Sequence, residues 1–97
     1  MAQLWITEYE DMAIAGGFVP AGQEPAVTTQ NVTFTTATQS AAFKNSTRFI
    51  RVVASAACHL AFGTNPTATT DTTRLAAGAA EYFGVKGGHK VSAVTGS

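Results

Sequence analysis

The chain has 97 residues, of which 12% are charged and 45% are hydrophobic, and its formal net charge is zero. A chain of this length makes one domain with a thin core, and its charged share is about half of the usual ~25%. These values exclude a large internal active-site cavity and favour a surface that a neighbouring subunit covers. A monomer solvated by the hydroxyls of its 15 threonines is the alternative.

The N-terminal part, residues 1–26, is predicted to be an extended arm. Residues 2–9 alternate as one short strand, and the segment after them is interrupted by glycines and prolines. An arm of this kind cannot bury its own apolar side chains, so we expect it to dock on a neighbouring subunit. The predicted anchors are Leu4, Trp5, Ile6, Tyr9, Phe18 and Val19.

Charge is divided unevenly along the chain. Residues 1–24 contain four acidic residues and no Lys or Arg, which gives −4, whereas residues 25–97 carry +4. An acidic arm on a basic body favours docking, either onto its own body or onto the next copy. Arg48 and Arg51 are predicted to be interfacial cations that pair with a carboxylate such as Glu8 or Glu10. The six Lys and Arg residues are scattered along the sequence, which argues against a nucleic-acid partner.

The body, residues 27–97, has the pattern of an all-β domain. Short apolar runs are separated by turn residues at intervals of about ten residues, which is typical of a sandwich or barrel. Residues 47–54 have apolar side chains on both faces, which predicts a central strand. Gly87 and Gly88 predict a hairpin turn into the last strand. The predicted fold is therefore a small antiparallel β-sandwich, jelly-roll-like, with the extended N-terminal arm.

Few residues have catalytic or metal-binding chemistry. Cys58 and His59 are the only adjacent Cys/His pair, and neighbouring strand residues point to opposite faces. A structural zinc site needs four such ligands, and the chain has three with His89 included. A Cys58–His89 nucleophilic pair would also need an orienting residue and an oxyanion donor. We therefore predict no catalytic, cofactor or metal residues and no enzymatic activity.

Carbohydrate binding is an alternative of another functional class. It would use exposed aromatic rings that stack on a sugar, and the available platforms are Trp5, Tyr9 and Tyr82. Because the first two lie in the predicted arm and Tyr82 stands alone, the sequence favours protein contacts, in which Trp, Tyr and Arg are enriched.

Cellular location follows from what the sequence contains. The N-terminus does not have the basic and apolar regions of a secretory signal, and no stretch approaches the 18 apolar residues that would span a bilayer. Cys58 is the single cysteine, which excludes an internal disulfide and fits synthesis in a reducing cytoplasm. We expect no membrane partner.

Residues 48–94 resemble small structural proteins of tailed bacteriophages. The resemblance lies in Arg-Phe-Ile-Arg-Val from residue 48, Cys-His-Leu-Ala-Phe-Gly-Thr-Asn-Pro-Thr-Ala from residue 58, Glu-Tyr-Phe from residue 81 and Gly-His-Lys-Val from residue 88. It implies a virion protein made in the host cytoplasm, either a capsid decoration (cement) protein or a neck or tail accessory. It also implies assembly with copies of itself, with a trimer as one option, and with the major capsid protein or other virion proteins.

Overall fold

The computed structural model of the chain describes residues 2–10, 12–14, 18–22 and 24–96, and within these ranges the chain forms ten strands and no helix. The strands are β1 (Ala2–Tyr9), β2 (Met12–Ile14), β3 (Phe18–Gly22), β4 (Thr28–Phe34), β5 (Thr38–Gln39), β6 (Phe49–Ala54), β7 (Cys58–Gly63), β8 (Thr73–Leu75), β9 (Ala80–Gly84) and β10 (Lys90–Thr95). The all-β prediction is confirmed.

Eight of these strands form two four-stranded sheets that pack face to face. The first sheet has the order β4-β1-β6-β9 and the second has the order β5-β10-β7-β8, and every pairing is antiparallel. A jelly roll likewise has eight strands in two sheets. The strand order here matches that of a jelly roll in which the strand that is usually last in the chain comes first. This strand is β1, which pairs between β4 and β6.

The core lies between the two sheets and is formed by alternate residues of the strands. Because successive side chains of a strand point to opposite faces, each central strand contributes every second residue, as in the buried positions 50, 52 and 54 of β6. The large side chains that are almost fully buried include Leu4, Ile6, Phe34, Ile50, Val52, Leu60, Leu75 and Val91. The alternation in β6 therefore fixes which face of the first sheet is left outside.

The predicted arm is wrong for residues 2–9, because this segment is an interior strand of the sandwich. Strand β1 pairs along its length with β4 on one side and with β6 on the other. Leu4 and Ile6 have no solvent exposure. The domain therefore begins at β1 rather than at residue 27, because the apolar face of β1 is buried by its own chain.

The part of the predicted arm that follows β1 contains a separate hairpin. In the described residues, strands β2 and β3 pair with each other as a two-stranded sheet separate from the two sheets of the sandwich. We call residues 10–24 the hairpin segment. Phe18 and Val19 fall in β3, and their side chains lie outside the described part of the chain.

The predicted Gly-Gly hairpin is also corrected. Residues 86–89 do form a tight turn, in which His89 N donates to Lys86 O at 3.1 Å. The flanking strands, however, belong to different sheets, so the turn carries the chain across the sandwich and does not join paired strands. Gly88 has φ +85°, and a side chain at Gly87 would meet the Asn45 carbonyl oxygen at 2.6 Å, so both positions require glycine.

The outer face of the second sheet is covered by the chain itself. The loop of residues 64–72, rich in threonine and alanine, folds back over it between β7 and β8. Ala68 N donates to the buried Ser92 Oγ at 3.0 Å, and His59 Nδ1 donates to Thr72 O at 2.9 Å. Gln39 Nε2 donates to Asn65 Oδ1 and to Pro66 O. The loop therefore closes one side of the sandwich.

Candidate interaction surface

The outer face of the first sheet carries a band of aromatic side chains across three of its four strands, β1, β6 and β9. In the register of β1, β6 and β9, the pairs that share this face are Trp5–Val53, Thr7–Arg51, Tyr9–Phe49 and Arg51–Tyr82. These residues alternate with the core residues of the same strands, so they point away from the core. We call the set Trp5, Thr7, Tyr9, Phe49, Arg51, Val53 and Tyr82 the aromatic face.

Three rings of the aromatic face stack on one another. The ring centroids of Tyr9 and Phe49 are 5.4 Å apart, those of Phe49 and Tyr82 are 5.9 Å apart, and those of Tyr9 and Tyr82 are 6.4 Å apart. The planes of the two tyrosines differ by only 4°. Stacked pairs at these spacings each contribute about 0.5–1.5 kcal/mol beyond area burial. The stack is therefore a rigid platform.

The hydroxyl of Tyr9 is held by a carboxylate. Tyr9 Oη donates to Glu24 Oε2 at 2.8 Å. Burial, together with the hydrogen bond and the negative charge of Glu24, raises the pKa of Tyr9 to about 12, while Arg51 acts in the opposite direction. This bond ties the end of the hairpin segment to the aromatic face.

Exposure separates the two outer faces of the sandwich. Among the described residues, the large hydrophobic side chains that are exposed are Trp5, at 45%, and Tyr82, at 39%. Both belong to the aromatic face. The second sheet, by contrast, is closed by the 64–72 loop. The aromatic face is therefore the apolar surface that the described part of the chain leaves open to a partner.

The structure places the predicted interface residues in different environments. Trp5, Tyr9 and Arg51 come together on the aromatic face, although Tyr9 is only 6% exposed because its neighbours cover it. Leu4 and Ile6 are core residues, so the prediction that they anchor another subunit is wrong for the folded chain.

Sequence reasoning missed two of the four aromatic rings on the aromatic face. Phe49 was not singled out, and Tyr82 was judged to stand alone. Both contact Tyr9 because β1, β6 and β9 are neighbours in the first sheet, although their positions in the chain are far apart. The available signal was the parity of Phe49 with Arg51 in β6, which places them on one face.

Glu8 has a structural position that differs from the predicted one. It is 1% exposed, and its Oε1 accepts hydrogen bonds from Lys44 N at 2.9 Å and Thr47 Oγ1 at 2.7 Å. Its Oε2 accepts one from Gln30 Nε2 at 3.1 Å. The predicted pairing of Glu8 with Arg48 or Arg51 across subunits is therefore wrong, because its oxygens are occupied inside the fold.

An open groove of about 440 Å³ lies at one end of the sandwich. Its apolar surface comes from Phe43, Phe62 and Val85, and its basic residues are Arg48, Lys86 and His89, with Gly63 and Gly84 completing the lining. No described acidic residue lines it. We call it the cationic groove. Arg48, a predicted interface residue, lies here rather than on the aromatic face.

The three Cys and His residues do not form a site. Cys58 faces the core and His59 faces the 64–72 loop. His89 lies at the opposite end of the β7–β10 pair, about six residue spacings, or roughly 20 Å, from Cys58. Within the described residues no three His, Cys, Asp or Glu side chains are placed to hold a metal ion.

In the described ranges no helix has the length and apolar character to cross a membrane. Comparison with protein-family models, with curated proteins and with solved structures finds no match.

Proposed function

We propose that the protein is a non-enzymatic structural protein of a bacteriophage virion, namely a capsid decoration (cement) protein that binds across the joint between major capsid subunits. The observation that carries the proposal is the difference between the two outer faces of the sandwich. One face is closed by the chain's own loop, and the other presents Trp5 and Tyr82 to solvent. The resemblance of residues 48–94 to phage structural proteins supports the virion context.

The chemistry of the aromatic face suits a macromolecular partner. Trp, Tyr and Arg are the residue types that dominate the energetic centres of protein interfaces, and the aromatic face holds Trp5, Tyr82 and Arg51 within three adjacent strands. The face is a surface on a rigid sheet and needs no rearrangement before it docks. Rigid aromatic anchors lose little conformational entropy on binding, which favours affinity.

Stabilisation of a capsid would follow from mass action. A module that binds two subunits in their assembled arrangement, and not when they are separate, raises the free energy of separating them. Each contact is partly offset by the cost of association. Many copies on one particle make a modest contact effective, because each bridged subunit is held at high local concentration.

Two alternatives give the same surface another partner. A neck or tail accessory protein would use the aromatic face on a different virion component. A carbohydrate-binding module is favoured by one specific observation, the stack of Tyr9, Phe49 and Tyr82 with Trp5 on the same sheet face. Within that cluster, Trp5 and Tyr82 are the exposed rings on which a sugar ring would stack.

The test is co-sedimentation of the purified chain with capsids assembled from the major capsid protein of the same phage. We expect the wild-type chain to sediment with the capsids and to raise their temperature of disassembly. Trp5→Ala and Tyr82→Ala should each weaken binding by about 30-fold, the effect of losing about 2 kcal/mol at an interface hot spot.

Matched controls lie on the covered side of the sandwich. Thr69→Ala and Asp71→Ala change exposed residues of the 64–72 loop and should leave capsid binding unchanged. No binding to capsids by the folded wild-type chain would refute the decoration role. Binding to purified tails would then support the accessory role, and binding to a glycan array that Trp5→Ala abolishes would support the carbohydrate role.

A further inference from the structure

We infer that the cationic groove binds the acidic hairpin segment of a second copy of the chain, so that two copies exchange hairpins in a two-fold dimer. The inference concerns self-association and holds whether or not the partner of the aromatic face is a capsid. It identifies the cationic groove as the part of the basic body that binds the acidic N-terminal part, an interaction that the charge distribution of the sequence predicts.

The groove has the chemistry of a receptor for an acidic peptide with apolar side chains. Arg48 and Lys86 are exposed and place two positive charges at one opening, which His89 also lines. Phe43 and Phe62 supply apolar surface between them. Cationic side chains around an apolar surface favour a ligand that carries both negative charge and apolar side chains. A purely polar segment would leave the apolar surface without contacts, and an uncharged segment would leave the cations without partners.

The hairpin segment has the complementary composition. Residues 10–24 contain Glu10, Asp11 and Glu24, no Lys, Arg or His, and the apolar Met12, Ile14, Phe18 and Val19. Glu10 is exposed, and no ion pair joins it to a cation in the described part of the chain. Glu24 already binds the Tyr9 hydroxyl of its own chain. The charges assigned to the partner's groove are therefore those of Glu10 and Asp11.

Both partners of this contact lie at the same end of the sandwich. Arg48 N donates to Tyr9 O at 2.9 Å, and Val85 N donates to Arg48 O at 2.9 Å. The hairpin segment, which begins at residue 10, therefore leaves the sandwich beside the groove. When two copies meet at these ends about a two-fold axis, each hairpin reaches the other copy's groove, and both contacts form at once. This arrangement differs from the trimer that the resemblance leaves open.

Charge exchange between two variants of the full chain tests the inference. The groove variant is Arg48→Glu with Lys86→Glu, and the hairpin variant is Glu10→Lys with Asp11→Lys. By sedimentation velocity, the wild-type chain should dimerise with rising concentration and should dissociate in about 1 M salt, where the screening length falls to about 3 Å. Each variant alone should dimerise at least about tenfold more weakly, because like charges then face each other.

Mixing the two variants gives the decisive measurement. An acidic hairpin then meets a basic groove in one contact, and a basic hairpin meets an acidic groove in the other, so a heterodimer should form. The charge-matched control is Asp71→Lys with Glu81→Lys, which changes exposed residues outside the hairpin segment. It should dimerise alone as the wild type does, and should pair with the groove variant no better than the wild type does.

Circular dichroism of each variant checks that the fold is retained. A wild-type chain that stays monomeric at every concentration, or a mixture of folded variants that forms no heterodimer, would overturn the inference. Capsid binding through the aromatic face is measured in a separate experiment, so a negative result for one proposal does not bear on the other.

Discussion

Tyr9 shows how the surroundings of one side chain set its chemistry. Its ring contacts the rings of Phe49 and Tyr82, and its hydroxyl donates to Glu24. Ionisation would place a second negative charge beside Glu24 in a position that water scarcely reaches, so the neutral form is favoured. The pKa of Tyr9 is accordingly raised from 10 to about 12.

We predict a late titration of Tyr9 that is coupled to stability. In a Tyr82→Phe background Tyr9 is the only tyrosine, and its ultraviolet absorbance should change with a midpoint near pH 12. Since the folded-state pKa lies above the unfolded value, the stabilisation is fully present below pH 10 and is lost between pH 10 and about 12.

Replacement of the carboxylate checks the cause. Glu24→Gln in the same background keeps an acceptor oxygen and removes the charge, so it should lower the midpoint of Tyr9. A midpoint at pH 10 in the parent background would contradict the arrangement of Tyr9 and Glu24.

Cys58 is predicted to be chemically inert in the folded chain. It has no solvent exposure, and burial raises the pKa of its thiol, which Arg74 lowers only in part. Because the thiolate is the reactive species, we expect a thiol reagent to modify the native chain at least about 100-fold more slowly than the urea-unfolded chain. Equal rates in the two states would show that Cys58 is accessible and would reopen its role as a nucleophile.

At the scale of elements, Glu8 joins three parts of the chain. It projects from β1, accepts hydrogen bonds from Lys44 and Thr47 in the connection between β5 and β6, and accepts another from Gln30 of β4. Gln30 in turn accepts a hydrogen bond from Ala41 N at 3.0 Å. The carboxylate therefore fixes the connection that passes over one end of the core.

Removal of this carboxylate should be costly for stability. Glu8→Ala would leave the Lys44 amide and the Thr47 hydroxyl without an acceptor and would open a cavity, so we expect a loss of at least about 3 kcal/mol in the free energy of unfolding. Glu8→Gln keeps the shape and one acceptor oxygen, and should cost less. Urea unfolding measures both.

The control for Glu8 is its exposed neighbour Glu10. Glu10→Ala should change the free energy of unfolding by no more than about 0.5 kcal/mol, as is usual for surface positions. If Glu8→Ala were as mild as Glu10→Ala, the hydrogen bonds of Glu8 would not be stabilising the fold.

At the scale of the whole molecule, the sandwich is covered on one outer face and open on the other. The covered face depends on the 64–72 loop. Because the threonines of this loop form no apolar pattern, the sequence alone indicates only a polar connection between two strands. The open face depends on the lateral order of three strands. Both features arise from contacts between residues that are distant in the chain, such as Ala68 with Ser92 and Tyr9 with Tyr82. The two proposed interactions use different parts of this surface.

The sequence by itself determined the class of fold and much of its strand content. The alternation of residues 2–9 and the apolar faces of residues 47–54 predicted strands where β1 and β6 are found, because side-chain parity is a local property of the chain. It also determined that residues 47–54 form a central strand, since both faces of that segment need cover.

Only the tertiary structure decided where each strand lies and which side chains share a face. The alternation of Leu4 and Ile6 is the same in an arm that docks on a neighbour and in a strand inside its own sheet. Pairing of β1 between β4 and β6 decided between them. The same pairing brought Trp5, Tyr9 and Arg51 onto one face, because strand order and register are set by the burial of the whole core and not by any single segment.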